Sequence, residues 1–465
     1  MDIAKSFLDA GKPAEALERL KGLLETVSRR DEWQVHELIA AAFHDLANAA
    51  GVAQASFNAA DTDRFLRSQR THFSNWIFAL HYLPTLDAAT LTNELAVYRS
   101  LYRDAEPLPQ IERHPAEKIS VGYIAPNFCD SSAARFYEAL LTDYDREKFS
   151  VTAWSMSHEA DAFTETVRAN VDAYHDIAEE SFFAAAQRIH GADVLIDLGG
   201  HTEGGQTLQV AAYRPARVQM TGIGYFDSTG LAAIDYFIGD GYLTADAATF
   251  AEKILPLKKA FAFRPNKRMV KARRARRKIS RDRFTFGCLN NFMKLSDDYL
   301  AAVKKILDAA GNARIIFRDT TPLESRRLAL MERLERFGID ADVRLGADDF
   351  FGDYDEIDLI LDTFPYPGGL MTALAIYMGV PVLNLRGDLA SRRTGADILH
   401  TAAADEFICT DVDAYVSTAI DLATNPTRLA ALTAKISIDK LTDTKTFVED
   451  FYARLEAIAC ATSGA

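Results

Sequence analysis

Two neighbouring residues, His201 and Thr202, follow a predicted buried strand and carry side chains that could serve a reaction. The apolar run Val194–Ile196 ends at Asp197 and a glycine pair, in ADVLIDLGGHTEG from residue 192. Such a run is typical of a parallel strand that is covered on both faces and enters a tight turn. Because open α/β sheets bind ligands at the carboxyl ends of their strands, both side chains are site candidates. His201 could transfer a proton, since its ordinary pKa lies near neutrality, and a histidine that only holds the loop is the alternative.

A second candidate site is the glycine turn in LDTFPYPGGLMTALAIYMGVP, residues 361–381. The pattern predicts a strand, a turn at Gly368 and Gly369, and the start of a helix. Free N–H groups at a helix start, together with the helix dipole, favour phosphate binding. The glycines allow the backbone to approach the ligand closely, and Thr372 could add a hydroxyl group.

The motifs around both turns resemble the catalytic region of the O-GlcNAc transferase/SPINDLY-type glycosyltransferases, over roughly residues 117–440. This resemblance implies an α/β fold of the GT-B class, with two Rossmann-like domains that face each other after an all-helical N-terminal domain. The matching elements are DLGGHTEG at 197–204, RPA at 214–216 with Gln219, GY at 224–225, STG at 228–230, DY at 235–236, Asp240, EKILP at 252–256, LDTFPY at 361–366, MGVP at 378–381 and LASR at 389–392.

The resemblance also implies an activity, namely an inverting, metal-independent glycosyltransferase. The expected donor is a nucleotide sugar, UDP-linked, such as UDP-GlcNAc or UDP-glucose, and the expected acceptor is a Ser or Thr side chain of a protein. Lys294, in FGCLNNFMK at 286–294, is in register with the family's lysine at the donor diphosphate. A cation there stabilises the charge that builds on the leaving nucleoside diphosphate, so that no metal or other cofactor is obligatory. The alternative is a surface lysine near a helix start.

Other site residues follow from the same resemblance. Asn291 stands where the family usually has Gln, and its shorter amide could still reach a uracil or a ribose. Thr202 matches a residue close to the donor phosphate, while Gly368, Gly369 and Thr372 would cradle the diphosphate. Residues expected only to brace loops are Asp197, Asp235, Asp240 and Arg392.

Three departures from the family pattern concern the expected site. Ser131 stands in register with a histidine proposed as a catalytic group, and no histidine occurs between His114 and His158. Leu370-Met371 replaces two hydroxyl residues of the donor loop, and ADDF at 347–350 replaces a segment with a nucleotide-contacting histidine. One interpretation is altered donor choice, including another base, and the other is a non-catalytic GT-B subunit or chaperone that supports an active partner. A nucleotide-sugar epimerase of similar architecture is less favoured, because residues 192–240 resemble the transferases specifically.

Residues 1–112 are predicted to form a helical domain. The segment FLDAGKPAEALERLKGLLE, residues 7–25, has the pattern of one tetratricopeptide-type hairpin without a clear second copy. We therefore expect a packed, degenerate TPR-like cap, which could bind an acceptor or a protein partner. Further helices are predicted at about 33–50, 60–82 and 87–103.

Alternating strands and helices predict two α/β domains, 117–265 and 280–440, followed by a C-terminal helix in 441–465. The resemblance to GT-B folds implies that this helix crosses back to the first of the two domains. Residues 106–116, with three prolines, are predicted to be a linker. Residues 264–283 contain eleven Lys/Arg. They are interpreted as a solvated interdomain linker or a surface helix, with docking of an acidic partner or phosphate as the alternative. Predicted strands lie at 119–124, 149–155, 194–197, 218–225, 234–238, 284–289, 314–318, 359–362, 381–385 and 406–409.

Composition limits the classes of protein that fit. The chain has 465 residues and a net charge of −14, which argues against nucleic acid as a partner. Four cysteines without CxxC spacing predict a reducing compartment and neither disulfides nor a zinc site. No signal-peptide pattern and no apolar run of membrane-spanning length occur, so a cytoplasmic protein is expected.

Overall fold

The protein is seen here as a computed structural model that describes residues 1–112, 117–245, 249–277, 279, 282–347 and 350–461. The chain divides into two compact units. The first unit contains residues 1–86 and 265–441, and the second contains residues 87–264 and those from 442 onward. The two units divide the helices of residues 1–112 between them, because the N-terminal segment of the first unit ends at Leu86 and the second unit begins at Asp87. The predicted domain boundaries stay a prediction.

Residues 1–112, all described, are helical up to Ser100 as expected, but the breaks differ from the prediction. The predicted helix at 33–50 ends at Asp45, and a helix at Ala49–Thr62 fills the predicted gap at 51–59. Asp63 interrupts the predicted helix at 60–82: its backbone is extended and its Oδ1 accepts a hydrogen bond from Phe65 N at 2.8 Å. An aspartate that bonds the backbone two residues on favours a turn over a helix. The helices are α1 (Asp2–Asp9), α2 (Pro13–Leu24), α3 (Glu32–Asp45), α4 (Ala49–Thr62), α5 (Leu66–Leu80) and α6 (Ala88–Ser100).

The second unit is built on a parallel sheet in the order β3-β2-β1-β4-β5-β6-β7 among its described residues. The apolar strand β4 pairs with both β1 and β5 and is covered on both faces, as its composition predicts. The sequence missed β3 and β7, which are edge strands with partly exposed residues. The elements are β1 (Ile119–Ala125), α7 (Ala134–Thr142), β2 (Phe149–Ser155), α8 (Ala162–Asn170), β3 (Ala173–Asp176), α9 (Phe182–Ile189), β4 (Ala192–Asp197), α10 (Gln206–Ala211), β5 (Ala216–Thr221), β6 (Tyr236–Asp240) and β7 (Lys253–Leu257).

The first unit carries another parallel sheet, in the order β10-β9-β8-β11-β12-β13 among its described residues. Strands β8 and β11 are neighbours, so the segments after them meet at one sheet edge. The sequence missed only the half-exposed edge strand β10 here. The elements are α11 (Lys267–Ala275), β8 (Phe284–Cys288), α12 (Asp297–Ala309), β9 (Ala313–Asp319), α13 (Glu324–Phe337), β10 (Asp342–Leu345), α14 (Asp353–Glu356), β11 (Leu359–Leu361), α15 (Leu370–Met378), β12 (Val382–Leu385), α16 (Thr394–Thr401), β13 (Ile408–Cys409), α17 (Val412–Thr424), α18 (Pro426–Thr433) and α19 (Ile438–Thr442).

The last helix, α20 (Thr444–Ala461), belongs to the second unit. This unit contains the sheet of the first predicted α/β domain, to which the helix was expected to return. The Tyr452 hydroxyl lies 2.9 Å from that of Tyr123 on β1 and donates to the carbonyl oxygen of Leu140 at 2.7 Å. The helix therefore packs on the sheet that begins more than three hundred residues earlier. The last predicted residues, 462–465, lie outside the described part.

The basic run forms helix α11, the surface helix that the sequence favoured, although residues 278, 280 and 281 lie outside the described part. Lys267, Lys271 and Arg274 are exposed. Arg276 donates from Nη1 to the carbonyl oxygen of Gly379 at 3.2 Å, at the C-terminal end of α15. A guanidinium at that helix end satisfies a carbonyl and opposes the negative end of the helix dipole.

Candidate functional site

The turn after β11 is organised by a buried carboxylate, Asp362, which immediately follows the strand. Burial raises the pKa of this carboxyl, while its hydrogen bonds and the nearby Lys294 charge favour the carboxylate. Its partners come from several segments, so the carboxylate fixes the turn in one arrangement. They are Asn290 Nδ2 at 2.9 Å, Thr363 N at 2.9 Å, Gly368 N at 2.8 Å, Thr372 Oγ1 at 2.9 Å and Asn384 Nδ2 at 2.9 Å.

The glycine pair allows this turn to pack closely and to start a helix. A Cβ on Gly368 would lie 2.6 Å from Thr372 Oγ1, too close for any side chain. Gly369 precedes α15 and provides no side-chain cap. Among the described residues, the backbone N–H groups of Leu370 and Met371 have no acceptor in hydrogen-bond range. The start of α15 therefore presents free donors, as the predicted phosphate site requires.

Thr372 lies inside the turn rather than on its surface. Its side chain is 1% exposed, and its hydroxyl is within hydrogen-bond range of both the Asp362 carboxylate and the Gly368 carbonyl oxygen, at 3.1 Å from the latter. A hydroxyl engaged in this way holds the glycine turn. Direct binding of phosphate by Thr372 stays a prediction, and the geometry favours an indirect role.

Lys294 reaches the glycine turn from the neighbouring strand. It ends a short 3-10 turn, Phe292–Lys294, that follows β8, and its ammonium donates to the Pro367 carbonyl oxygen at 2.6 Å. The same nitrogen lies 4.2 Å from the centre of the Tyr366 ring, in cation–π range. Burial lowers the pKa of Lys294 to about 8, although the Asp362 carboxylate opposes this shift. The structure thus brings the cation and the glycine turn together.

Binding of a diphosphate here should depend on the protonation of Lys294. Because burial lowers its pKa to about 8, the ammonium is present below that pH and is lost as the pH rises through it. We expect the affinity for UDP to fall by up to about tenfold per pH unit above about pH 8. Calorimetric titration between about pH 7 and pH 9.5 measures this fall, over a range in which the nucleotide phosphates, with a last pKa of about 6, stay ionised.

Lys294→Arg provides the control for this pH dependence, since a guanidinium stays charged over the whole range. Its affinity should be nearly constant with pH. An equally steep decline in the arginine variant would show that another group titrates.

Asn291 presents an amide donor beside Lys294. Its Oδ1 accepts from Met293 N at 2.9 Å and from Arg326 Nη1 at 3.1 Å. Two donors on one side-chain atom identify that atom as the oxygen. Nδ2 has no partner among the described residues, so it can donate to a carbonyl oxygen of a ligand.

The other predicted turn, after β4, is also held by a buried aspartate. Asp197 accepts from Gly199 N and Gly200 N at 2.9 Å each and from Thr221 Oγ1 at 2.8 Å, and burial raises its pKa. Thr202 is partly exposed, and its hydroxyl donates to the Gly199 carbonyl oxygen at 2.6 Å. Asp197 is therefore the loop brace that the sequence predicted.

His201 is fully buried, with an exposed fraction of 0%. Its Nε2 lies 3.0 Å from the Thr229 carbonyl oxygen, and its ring packs edge-on against Tyr98 and Tyr225, with centroids 4.7 and 5.3 Å away. Thr229 is in turn bound by the buried Glu252 carboxylate, which accepts from its backbone N–H at 2.9 Å. This environment favours the alternative in which His201 holds the loop, and proton transfer by His201 stays a prediction.

His201→Gln distinguishes the two roles. Glutamine keeps a donor near the Thr229 carbonyl oxygen but cannot shuttle protons near neutral pH. We expect turnover within about tenfold of the native protein, whereas loss of a proton-transfer group costs about 10²–10⁴-fold. A fall in that larger range, with the melting temperature unchanged, would establish His201 as a catalytic residue.

The sites of departure from the family pattern differ in their surroundings. Ser131 is exposed, and its Oγ accepts from Ala134 N at 3.3 Å, at the start of α7. Phe350 is buried and packs on Phe351 and Tyr354. Residues 348 and 349 lie outside the described part, as does His114.

Sequence reasoning predicted Asp197 as a brace of the turn after β4 but missed the other positioning residues. Asp362 and Glu252 were noted only as parts of motifs, and Arg326 was not noted at all. An aspartate directly after an apolar strand and before a glycine turn was the available signal, since Asp197 and Asp362 share that position.

The model of glycosyl transferase family 41 matches residues 95–323. A protein of Arabidopsis thaliana named "Probable UDP-N-acetylglucosamine--peptide N-acetylglucosaminyltransferase SPINDLY" is 32% identical over 341 residues, which are 69% of this chain and 36% of the relative. The corresponding SEC protein of that plant is 23% identical over 384 residues, covering 76% of this chain and 39% of the relative. The chain thus spans little more than a third of the length of these relatives.

A solved structure is similar over nearly the whole chain. A mutant O-GlcNAc transferase from Thermobaculum terrenum matches with a TM-score of 0.85 and 24% identity, over 98% of this chain and 90% of that one. At this identity the likeness shows the fold. With the two parallel sheets and the helical N-terminal region, it confirms the predicted GT-B class.

Proposed function

Since this chain belongs to the O-GlcNAc transferase/SPINDLY-type glycosyltransferases, the family whose model it matches, we propose that it transfers a sugar from a UDP-linked donor to Ser or Thr side chains of a protein. The names of the curated relatives support a UDP-GlcNAc donor and a peptide acceptor. Because the chain spans only part of those relatives, its own donor, acceptor and partners are part of the proposal.

The observation that carries the proposal is the meeting of a cation with a free helix start. The Lys294 ammonium lies 2.6 Å from the Pro367 carbonyl oxygen, directly before the glycine pair that starts α15. Both features attract anions, and a diphosphate offers several negative oxygens to share between them. A buried carboxylate, Asp362, fixes the turn without occupying either feature.

In the proposed reaction, an acceptor hydroxyl oxygen attacks the anomeric carbon as the bond from that carbon to the diphosphate breaks. The bonding electron pair leaves with UDP, and the hydroxyl proton passes to a base or to water. Lys294 and the N–H groups of Leu370 and Met371 stabilise the charge that develops on the leaving diphosphate, which raises the rate because the stabilisation grows toward the transition state. Asn291 Nδ2 donates to the base or the ribose. We propose that this chain needs no metal ion, since Lys294 provides positive charge at the leaving group.

Thr202 and Thr372 have supporting roles in this proposal. Thr372 holds the glycine turn through Asp362. Thr202, after β4, is partly exposed, but its hydroxyl proton is donated to the Gly199 carbonyl oxygen, so contact of Thr202 with the donor phosphate stays a prediction. The helical region is the proposed place for an acceptor or a partner protein.

A non-catalytic role is the second candidate, favoured by one feature. Leu370 and Met371 are partly exposed at the start of α15, where the family has hydroxyl groups, so side-chain donors to the phosphates are absent at these two positions. Their backbone N–H groups remain, which is why we favour the enzyme.

The test is release of UDP from UDP-GlcNAc or UDP-glucose in the presence of a peptide library that contains Ser and Thr. The matched control library has Ala at those positions, and each reaction is run with and without EDTA. We expect UDP release and glycosylated peptides, seen by mass spectrometry, only with the Ser/Thr library and unchanged by EDTA. Equal UDP release from both libraries would contradict the proposed acceptor, and binding of UDP without any turnover would favour the non-catalytic role.

A further inference from the structure

Arg326, on α13, is a fully buried cation with three groups of partners. Its Nη1 donates to the Asp319 carboxylate at 2.9 Å and to Asn291 Oδ1 at 3.1 Å. Its Nη2 donates to the His44 carbonyl oxygen at 3.0 Å. One guanidinium therefore joins a strand end, the candidate nucleotide-binding amide and the helical region.

The helical side of this contact is the C-terminal end of α3. The His44 carbonyl is among the last of that helix, which lack a partner inside it, and it accepts from Ala47 N at 3.0 Å as well as from Arg326. The His44 ring nitrogens also lie 3.2 Å from Arg326 Nη2. Burial and the Arg326 charge both lower the pKa of His44, which keeps the ring neutral and able to accept. The next carbonyl, of Asp45, accepts from Ser325 Oγ at 2.8 Å.

The nucleotide side of the contact is the orientation of Asn291. An amide can rotate so that oxygen and nitrogen exchange places, and the free donor would then face elsewhere. Met293 N–H and Arg326 both donate to Oδ1, so each opposes that rotation. Asp319 adds a second restraint, since its carboxylate accepts from Phe292 N at 2.9 Å as well as from Arg326.

We propose that Arg326 is a positioning residue through which the helical region, residues 1–86, orients Asn291 toward the nucleotide base of the donor. The inference rests on the proposed function, because it specifies how the site recognises its nucleotide. The helical region is then a structural layer of the donor site, and a change at the end of α3 changes the affinity for the nucleotide.

The test is a double-mutant cycle on UDP affinity, measured by calorimetry on the full chain. The variants are Arg326→Lys, which keeps a cation beside Asp319 but loses the fork, Asn291→Ala and the double variant. We expect each single variant to weaken UDP binding by about tenfold, as for loss of one hydrogen bond to an oriented donor. The double variant should be no more than about twofold weaker than Asn291→Ala, because both act on one contact.

Two further variants control the experiment. Arg327→Lys changes the neighbouring arginine, which pairs with Glu324 and contacts Met331 Sδ on the surface, and should bind UDP as the native protein does. His44→Ala removes the half-exposed ring, and should weaken UDP binding by about threefold in the native background but not with Asn291→Ala. If Arg326→Lys does not fold, the cycle of His44→Ala with Asn291→Ala tests the positioning role in its place.

The outcomes separate the inference from the proposed function. Losses that multiply in the double variants, or native affinity in Asn291→Ala, would overturn the positioning role while UDP binding by the native protein remained. Absence of UDP binding by the native protein would instead overturn the UDP donor itself.

Discussion

Asp362→Ala is expected to destabilise the first unit by about 3–5 kcal/mol, the cost of removing one partner from a buried charged network. The change leaves buried donors without an acceptor, among them Asn384 Nδ2 and Gly368 N, each at 2.8–2.9 Å from the carboxylate now. Each such group costs about 1–3 kcal/mol, and relaxation of the turn recovers part of that sum. Urea denaturation, followed by circular dichroism, measures the free energy of unfolding.

The matched control is Asp308→Ala, on α12. Asp308 is 62% exposed and pairs with Lys304, so its loss should change the free energy of unfolding by less than about 1 kcal/mol. A similarly small change in Asp362→Ala would contradict the role of Asp362 as the organiser of the glycine turn.

Lys294→Ala is expected to have the largest effect on activity, a fall in kcat of about 10²–10³-fold. This is the usual cost of removing one group that stabilises charge at the reacting centre. The fold should survive, since the substitution removes a cation that is partly buried and leaves the hydrogen bonds of Asp362 intact. UDP release at saturating donor measures kcat, and its concentration dependence gives KM.

Lys305→Ala is the control for this prediction, because Lys305 is exposed on α12 and should not affect kcat. A rise in KM with unchanged kcat in Lys294→Ala would mean that the lysine binds the donor equally in the ground and transition states. That result would contradict its role at the leaving group.

The sequence predicted the parts of the site that lie next to each other along buried strands. Strands β8 and β11 are apolar and pair directly, so the segments that follow them, with Lys294 and the glycine pair, had to meet at one edge. The same reasoning located His201 and Thr202 after β4. It failed at three edge strands. Strands β3 and β10 lack an apolar run, and the apolar run of β7 is interrupted by Pro256, which argues against a central strand.

The interior of the site could not be predicted from local pattern. The contact of Arg326 with His44 joins residues that are 282 positions apart, and nothing in either segment indicates the other. Thr372 looked like a phosphate ligand by position, but whether its hydroxyl faces a ligand or Asp362 depends on packing across several strands. The burial of His201 between Tyr98 and Tyr225 likewise depends on distant segments.

The most direct test of the account is calorimetric titration of the native protein and of Lys294→Ala with UDP, with GDP titrated in parallel. We expect micromolar binding of UDP, weakened by about 1–3 kcal/mol in the variant, as for loss of a charged hydrogen bond, and much weaker binding of GDP. Tight binding of GDP alone would preserve the glycosyltransferase site but contradict the UDP-linked donor. No heat from either nucleotide at millimolar concentration would contradict a nucleotide-sugar site at the start of α15.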